Sequence, residues 1–349
     1  MENPFSISFG RINERIIQRD QEIEPIFEDF NAINTRNTVY ILTGPRGCGK
    51  TVTLSHILDI YREKSDWIVA RLTQSSNMLE QLASILYECG INKIKSLNLE
   101  FSFSFSGISF KVSGDKPTTS IHVYLEKLLK YYDSKNIHVL VAIDDVSKSS
   151  DMVEFIRTYQ GFLIDHLDVR LLMTGLYKNI SKLESDKTLT FLFRAPKIKL
   201  SNLSIKQIAY SYQNTFNVTE GESIKLAKFT LGYAMAYQLL GDILFRNKET
   251  SLSDKVIKEF DLKINDWSYE IIWKELSDSE KNILISIVKG NTNNQSIMSD
   301  LNISKGNLAI YKKRLIDEGI INCNRGENIE FNLPRFSYFI DYQMKLLLE

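Results

Sequence analysis

A chain of 349 residues is longer than one ordinary small domain and suits two or three. Its 43% hydrophobic and 25% charged content fits a soluble globular protein, and 43 basic residues against 43 acidic ones leave a formal net charge of zero. That balance excludes a global field drawing the molecule to nucleic acid or a membrane surface, so any such binding must come from a local patch. Cys48, Cys89 and Cys323 lie far apart and the four histidines form no Cys/His pairs, which points to a reducing cytoplasm and away from a metal cage. No stretch is long and apolar enough to span a bilayer, and Met1 to Phe5 lacks a secretion signal's basic and apolar regions, so no membrane association is expected.

Residues 1–36 read as an N-terminal arm carrying Pro4, Phe5, Ile7 and Phe9, then a helix with Ile23, Ile26, Phe27 and Phe30 at helical spacing. The apolar run Val39 to Leu42 follows. Directly after it comes Gly44-Pro45-Arg46-Gly47-Cys48-Gly49-Lys50-Thr51, a complete G-x-x-x-x-G-K-[ST] signature, and Val52 to Leu58 continue as a helix. In such a loop, successive backbone N–H groups and the positive end of the helix cradle phosphates. Gly44 to Val52 would then surround ATP or ADP, with Lys50 on the β- and γ-phosphates and the Thr51 hydroxyl on Mg²⁺.

Strands are expected at about 38–43, 67–72, 137–143, 169–174 and 197–200, separated by helices, which predicts a doubly wound α/β layer. Between the second and third, Leu97, Leu99, Phe101, Phe103 and Phe105 alternate with polar residues, and after Ser106-Gly107 the apolar set moves to Ile108, Phe110 and Val112. This predicts a hairpin with one apolar face, covering the sheet edge or the neighbouring helix, or else docking a partner.

The run Ile137 to Ile143 ends in Asp144-Asp145, as a buried parallel strand carrying the second acidic element of a nucleotide site would. Asp144 is the candidate Mg²⁺ partner through water, and Asp145 the candidate for orienting the attacking water; an acidic helix cap is the plainer alternative. The strand Val169 to Gly175 ends in Thr174, a candidate γ-phosphate sensor or an ordinary strand exit.

Residues 201–268 lose the strand pattern and predict a helical lid, including 204–210 and 231–241. From 269 to 349, a capped helix at Leu276-Ser277-Asp278-Ser279-Glu280, a short helix at 295–301, a longer helix to about Glu318 and two short strands in 319–331 have the order of a winged helix. Lys305, Asn307, Tyr311, Lys312, Lys313 and Arg314 on the longer helix, with Arg325 at the wing, are candidate contacts to double-stranded DNA. Asp317, Glu318, Glu327 and Glu330 keep the module roughly neutral, so a protein-interaction or intramolecular role stays open.

These motifs together resemble the AAA+/STAND-type P-loop ATPases of the archaeal-ATPase-like bacterial group, distantly related to origin-recognition ATPases. The resemblance rests on Asn3-Pro4-Phe5, Phe9-Gly10 and Arg19-Asp20 at the opening, on Thr43 to Thr51, and on Phe193-Arg194 after the sensor strand. It continues through Gly232-Tyr233-Ala234 with Gln238 to Gly241, and Leu315 to Ile321 with Phe331 to Phe336. It implies a P-loop NTPase domain (37–200, with the hairpin inserted near 97–112) of the kind with an additional strand in its parallel sheet, followed by the lid and the winged helix. It also implies that Arg19 lies at the nucleotide, and it offers Arg194 as a catalytic residue, in cis or across a homo-oligomer, with a surface salt-bridge residue as the plainer alternative. Two departures stand out: Asp145 occupies the place of a more common Glu, so hydrolysis is expected to be slow, and Ala234 replaces a usual Pro with no arginine near Gly232.

Two functions follow as expectations, a nucleotide-dependent switch that presents a surface to a protein partner or second copy, and a DNA-binding ATPase of regulatory or initiation type. A small-molecule kinase is disfavoured by the trailing winged helix and the absence of an obvious acceptor site.

Overall fold

The structure, a computed structural model, describes residues 2–5, 16–33, 35–75, 77–94, 102–105, 108–111, 120–323 and 328–346. The chain forms two compact units, Asp20–Thr43 with Lys50–Lys199, and Met1–Arg19 with Gly44–Gly49 and Leu200–Glu349.

The first unit is built on parallel strands. They are β1 (Val39–Thr43), β2 (Trp67–Leu72), β5 (His138–Ile143), β6 (Val169–Gly175) and β7 (Lys197–Lys199), in the order β2-β5-β6-β1-β7. Between β2 and β5 the chain forms an antiparallel hairpin of β3 (Ser102–Phe105) and β4 (Ile108–Lys111), with Phe105 opposite Ile108. Leu97, Leu99, Phe101 and Val112 of the expected hairpin lie outside the described residues.

Why β1 and β5 read as nearly continuous apolar runs is plain from the two cores they feed. Val39, Ile41, Val139, Val141 and Ile143 pack on one face with the helices Met78–Ile94, Ile121–Asp133 and Ser150–Ile164. The alternating residues Tyr40, Leu42, Leu140 and Ala142 pack on the other face with Asp20–Asn31 and Lys50–Arg62. A strand covered on both faces has no polar side, so period-two alternation disappears.

The second unit is helical. Ile205–Phe216, Glu220–Phe229, Ala234–Asn247 and Asp254–Ile264 lead through a π-helical turn, Asn265–Tyr269, into Glu270–Glu275. Asp278–Val288, which opens with the expected Ser277/Glu280 capping box, is followed by Asn294–Leu301, Lys305–Asp317 and the hairpin of β8 (Ile321–Cys323) and β9 (Ile329–Phe331). A last helix, Phe336–Leu346, was not anticipated, although Phe336, Phe339 and Ile340 carry helical spacing and are all buried.

One hydrophobic core runs through this whole unit, from Tyr237 and Leu240 through Phe260 and Tyr269 to Leu308 and Phe339. At its centre the Tyr269 ring packs edge-on against Phe336 at 4.9 Å, and its hydroxyl donates to the Pro334 carbonyl at 2.5 Å. The N-terminal arm plugs into the same core. Phe5 sits among Tyr212, Phe216 and Tyr237 at centroid distances of 5.6–5.9 Å, and Asn3 donates to Asp242 at 2.9 Å. Among the described residues no helix is long and apolar enough to cross a membrane.

Candidate functional site

All five strands of the parallel sheet run the same way, so their C-terminal tips share one edge. Thr43 ends β1 and enters the G-x-x-x-x-G-K-T loop, while Asp144 and Asp145 follow β5. β6 lies between them, with Thr43 opposite Gly175 and Ile143 opposite Met173. Two strand spacings of about 4.8 Å set β1 and β5 roughly 10 Å apart.

The acidic tip is held by its neighbours. Thr174 is fully buried and donates to Asp144 Oδ1 at 2.5 Å, and the same hydroxyl accepts the Asp145 N–H at 2.9 Å. The Val146 N–H then bonds the Thr174 carbonyl at 2.7 Å, and Gln74 and Ser147 exchange bonds of 2.8 and 2.7 Å between the exits of β2 and β5. Asp145 is exposed and holds φ +50°, a left-handed conformation that Asp tolerates better than most residues. Arg71, near the end of β2, reaches Asp144 Oδ2 at 3.3 Å. Sequence reading missed this residue; its signal was a lone cation inside the strand run Trp67-Ile-Val-Ala-Arg-Leu72.

The phosphate loop is held by the helical unit. Gly47 has φ +70°, and a Cβ built there would overlap the Tyr233 hydroxyl, so glycine is required both by backbone and by space. Three consecutive loop carbonyls each accept a bond from this unit. Arg46 O takes the Tyr233 hydroxyl at 2.7 Å, Gly47 O the Met235 N–H at 3.0 Å, and Cys48 O the Arg19 guanidinium at 2.9 Å. Because C=O and the following N–H point oppositely in a trans peptide, the N–H groups of Gly47, Cys48 and Gly49 turn away from these donors. The Cys48 N–H also closes a turn on Pro45 O at 3.4 Å.

Arg19 is buried and its other amino group donates to Ser201 O at 2.6 Å, so both of these contacts are to backbone carbonyls. The Arg46 side chain pairs with Glu275 at 2.6 Å. Tyr233 is aimed by the tight turn before it, where Gly232 at φ +77° leaves no room for a Cβ against Leu203 O, 2.5 Å away. Burial pushes the Tyr233 phenol pKa far up, so its hydroxyl keeps its proton and donates throughout the neutral range.

The remaining candidates are dispersed. Lys50, Thr51 and Val52 open the helix Lys50–Arg62 and are half-buried. Arg194 is the exposed last residue of a 3₁₀ turn, Thr190–Arg194, beside an exposed Phe193, while Leu192 of the same turn is buried. On Lys305–Asp317, the side chains of Lys305, Asn307, Lys313 and Arg314 are exposed. Lys312 donates to Asn294 at 2.8 Å, and Arg314 lies over the Tyr311 ring. Arg325 falls outside the described residues.

Comparison with known proteins agrees with this architecture. A family model described as mitochondrial ribosomal death-associated protein 3 matches residues 27–93, and one described as a domain of unknown function (DUF8462) matches 267–340. A Walker-type ATPase of Pyrococcus abyssi superposes with a TM-score of 0.63 at 15% identity, over 93% of this chain and 96% of that one. The ORC2 protein of Aeropyrum pernix, in its ADPNP–ADP complexes, superposes at 0.58 and 13% identity, over 97% and 98% of the two chains. The chain has the fold of an origin-recognition-type P-loop ATPase. Origin recognition complex subunit 4 of Dictyostelium discoideum is 24% identical over 226 residues, 59% of this chain and 48% of that protein. The chain thus matches about half the length of that relative. The additional strand expected between the loop strand and the acidic strand is β6.

Proposed function

We propose that this protein binds ATP with Mg²⁺ at the Gly44–Thr51 loop, hydrolyses it slowly, and acts as a nucleotide-dependent switch. The observation that carries this reading is the run of three loop carbonyls tied to Tyr233, Met235 and Arg19. A loop whose carbonyls are fixed in this way turns the N–H groups of the same peptides to the opposite side, where phosphate would meet them, and any nucleotide that reshapes the loop must also strain or relax the helical unit. The Aeropyrum pernix ORC2 structure, solved as ADPNP–ADP complexes, supports the choice of ligand.

The Thr51 hydroxyl and the Asp144 carboxylate are hard oxygen donors of the kind Mg²⁺ takes. With Asp144 already engaging Thr174 and Arg71, a role through ordered water suits it better than direct ligation. Bound Mg²⁺ would neutralise charge on the β- and γ-phosphates. Lys50 would add its charge there, and Asp145 would orient the attacking water. Arg194, exposed at the end of its turn, would act on the nucleotide in cis or from a second copy. Domain roles follow the same division, with 37–200 binding nucleotide, 201–268 as lid and 269–349 as a winged helix.

A second reading, DNA contact through the helix Lys305–Asp317, is favoured by the exposure of Lys305, Lys313 and Arg314 along it. ATP turnover measured with and without duplex DNA tests both. Slow turnover unaffected by DNA supports the switch; stimulation by DNA supports the second reading, and no turnover or nucleotide binding at all overturns both.

A further inference from the structure

The Tyr233 hydroxyl has two oxygen partners, beside a longer 3.8 Å approach to the weakly accepting Met235 Sδ. It lies 2.7 Å from the Arg46 carbonyl and 3.0 Å from the Ser268 hydroxyl. A carbonyl can only accept, so the single Tyr233 proton goes to Arg46 O and Ser268 donates to Tyr233. The result is a directed chain, Ser268 Oγ–H to Tyr233 Oη–H to Arg46 O. Ser268 is 2% exposed and belongs to the π-helical turn Asn265–Tyr269, whose Tyr269 packs on the last helix. Glu275, one short helix further on, holds the Arg46 side chain. The segment 265–275 therefore reaches Arg46 twice, at its carbonyl through Tyr233 and at its guanidinium through Glu275.

We infer that Tyr233 is the positioning residue of the phosphate loop, relaying the state of the Ser268 turn to the peptide plane between Arg46 and Gly47. That plane carries the Gly47 N–H, so losing the Tyr233 bond frees it to rotate and misaims an amide that would meet phosphate. Tyr233 touches no phosphate in this scheme; it acts through the loop. The inference rests on the nucleotide reading above and adds the residue that sets affinity.

The test compares two chemically identical changes. Tyr212 is also fully buried, and its hydroxyl also donates to a carbonyl at 2.7 Å, that of Tyr237. Tyr233→Phe and Tyr212→Phe thus each remove one buried O–H···O=C bond from the same unit. Binding of labelled ATP and ADP analogues is measured by equilibrium titration on full-length chains, with melting temperatures recorded in parallel. Both variants should melt a few degrees below wild type. Tyr233→Phe should bind both analogues about tenfold more weakly, by the same factor for each because the shared β-phosphate is the group affected, and Tyr212→Phe should stay within twofold of wild type. Ser268→Ala should fall between them. Equal affinities for the two Phe variants would overturn the positioning role. A wild type that binds neither analogue would instead overturn the nucleotide reading itself.

Discussion

The loop after β1 and the acidic tip after β5 sit on the same edge of one sheet, yet they are secured in opposite ways. Asp144 and Asp145 are held locally, by Thr174 on the adjacent strand and by the loop that Gln74 and Ser147 tie down. The carbonyls of Arg46, Gly47 and Cys48 are held remotely, by Tyr233, Met235 and Arg19 of the helical unit. A tip braced within its own sheet draws its geometry from that sheet. A loop braced by the helical unit takes its geometry from that unit, so under the proposed switch binding is the quantity open to regulation and chemistry the quantity kept constant.

If that division is right, mutations near the loop change Kd and mutations near the tip change turnover. The largest effect is expected from Lys50→Ala, which removes the cation nearest the β- and γ-phosphates. Loss of charge-assisted bonds on the order of 3 kcal/mol should weaken a labelled ATP analogue by on the order of 100-fold. Calorimetric titration measures it directly.

Gly47→Ala comes next. It forces a side chain into a left-handed residue and against Tyr233. Affinity should fall by more than tenfold, and adding Tyr233→Phe should cost little further, because both changes act on one contact; a double-mutant cycle with additive losses would separate them.

Thr174→Val breaks the comparison from the other side. It keeps the shape of the buried side chain while removing the hydroxyl from both Asp144 and Asp145, a loss of about 2 kcal/mol if both bonds go. Turnover should drop by up to about 30-fold with Kd unchanged within twofold, read from single-turnover rates beside equilibrium binding. A Kd that moves with the rate would erase the distinction between loop and tip.

The smallest effect should come from Glu275→Gln. The Arg46–Glu275 pair is partly exposed, with side chains 38% and 32% accessible, and such pairs contribute about 0–1 kcal/mol. Affinity should change by less than about fivefold, and less still in high salt.

Much of this was legible in the sequence, for reasons that differ by region. The five parallel strands and the loop appear in their expected places because each is a short continuous pattern bounded by turn residues. So does the capping box of Ser277 and Glu280, whose partners are three positions apart. The braces were not legible. Tyr233 and Arg46 are 187 residues apart, and Arg19 and Ser201 are 182 apart, separations at which no local pattern reports a contact. Thr174 shows an intermediate case. Its place at a strand tip could be read, whereas its double bond to Asp144 and Asp145 depends on which strand lies beside β5. Phe5 could be read as an apolar residue of the arm and Asn3 only by resemblance, whereas the socket of Tyr212, Phe216 and Tyr237 around Gly241 that receives Phe5 could not be read.

The most direct test of the central claim is single-turnover hydrolysis by Asp145→Asn measured beside its affinity for ATP. A carboxamide of the same shape keeps the tip folded but cannot accept a proton from water or orient it as a carboxylate does. The account predicts wild-type affinity with bound ATP remaining intact long after the wild-type protein has cleaved it. Cleavage by Asp145→Asn at the wild-type rate would contradict it.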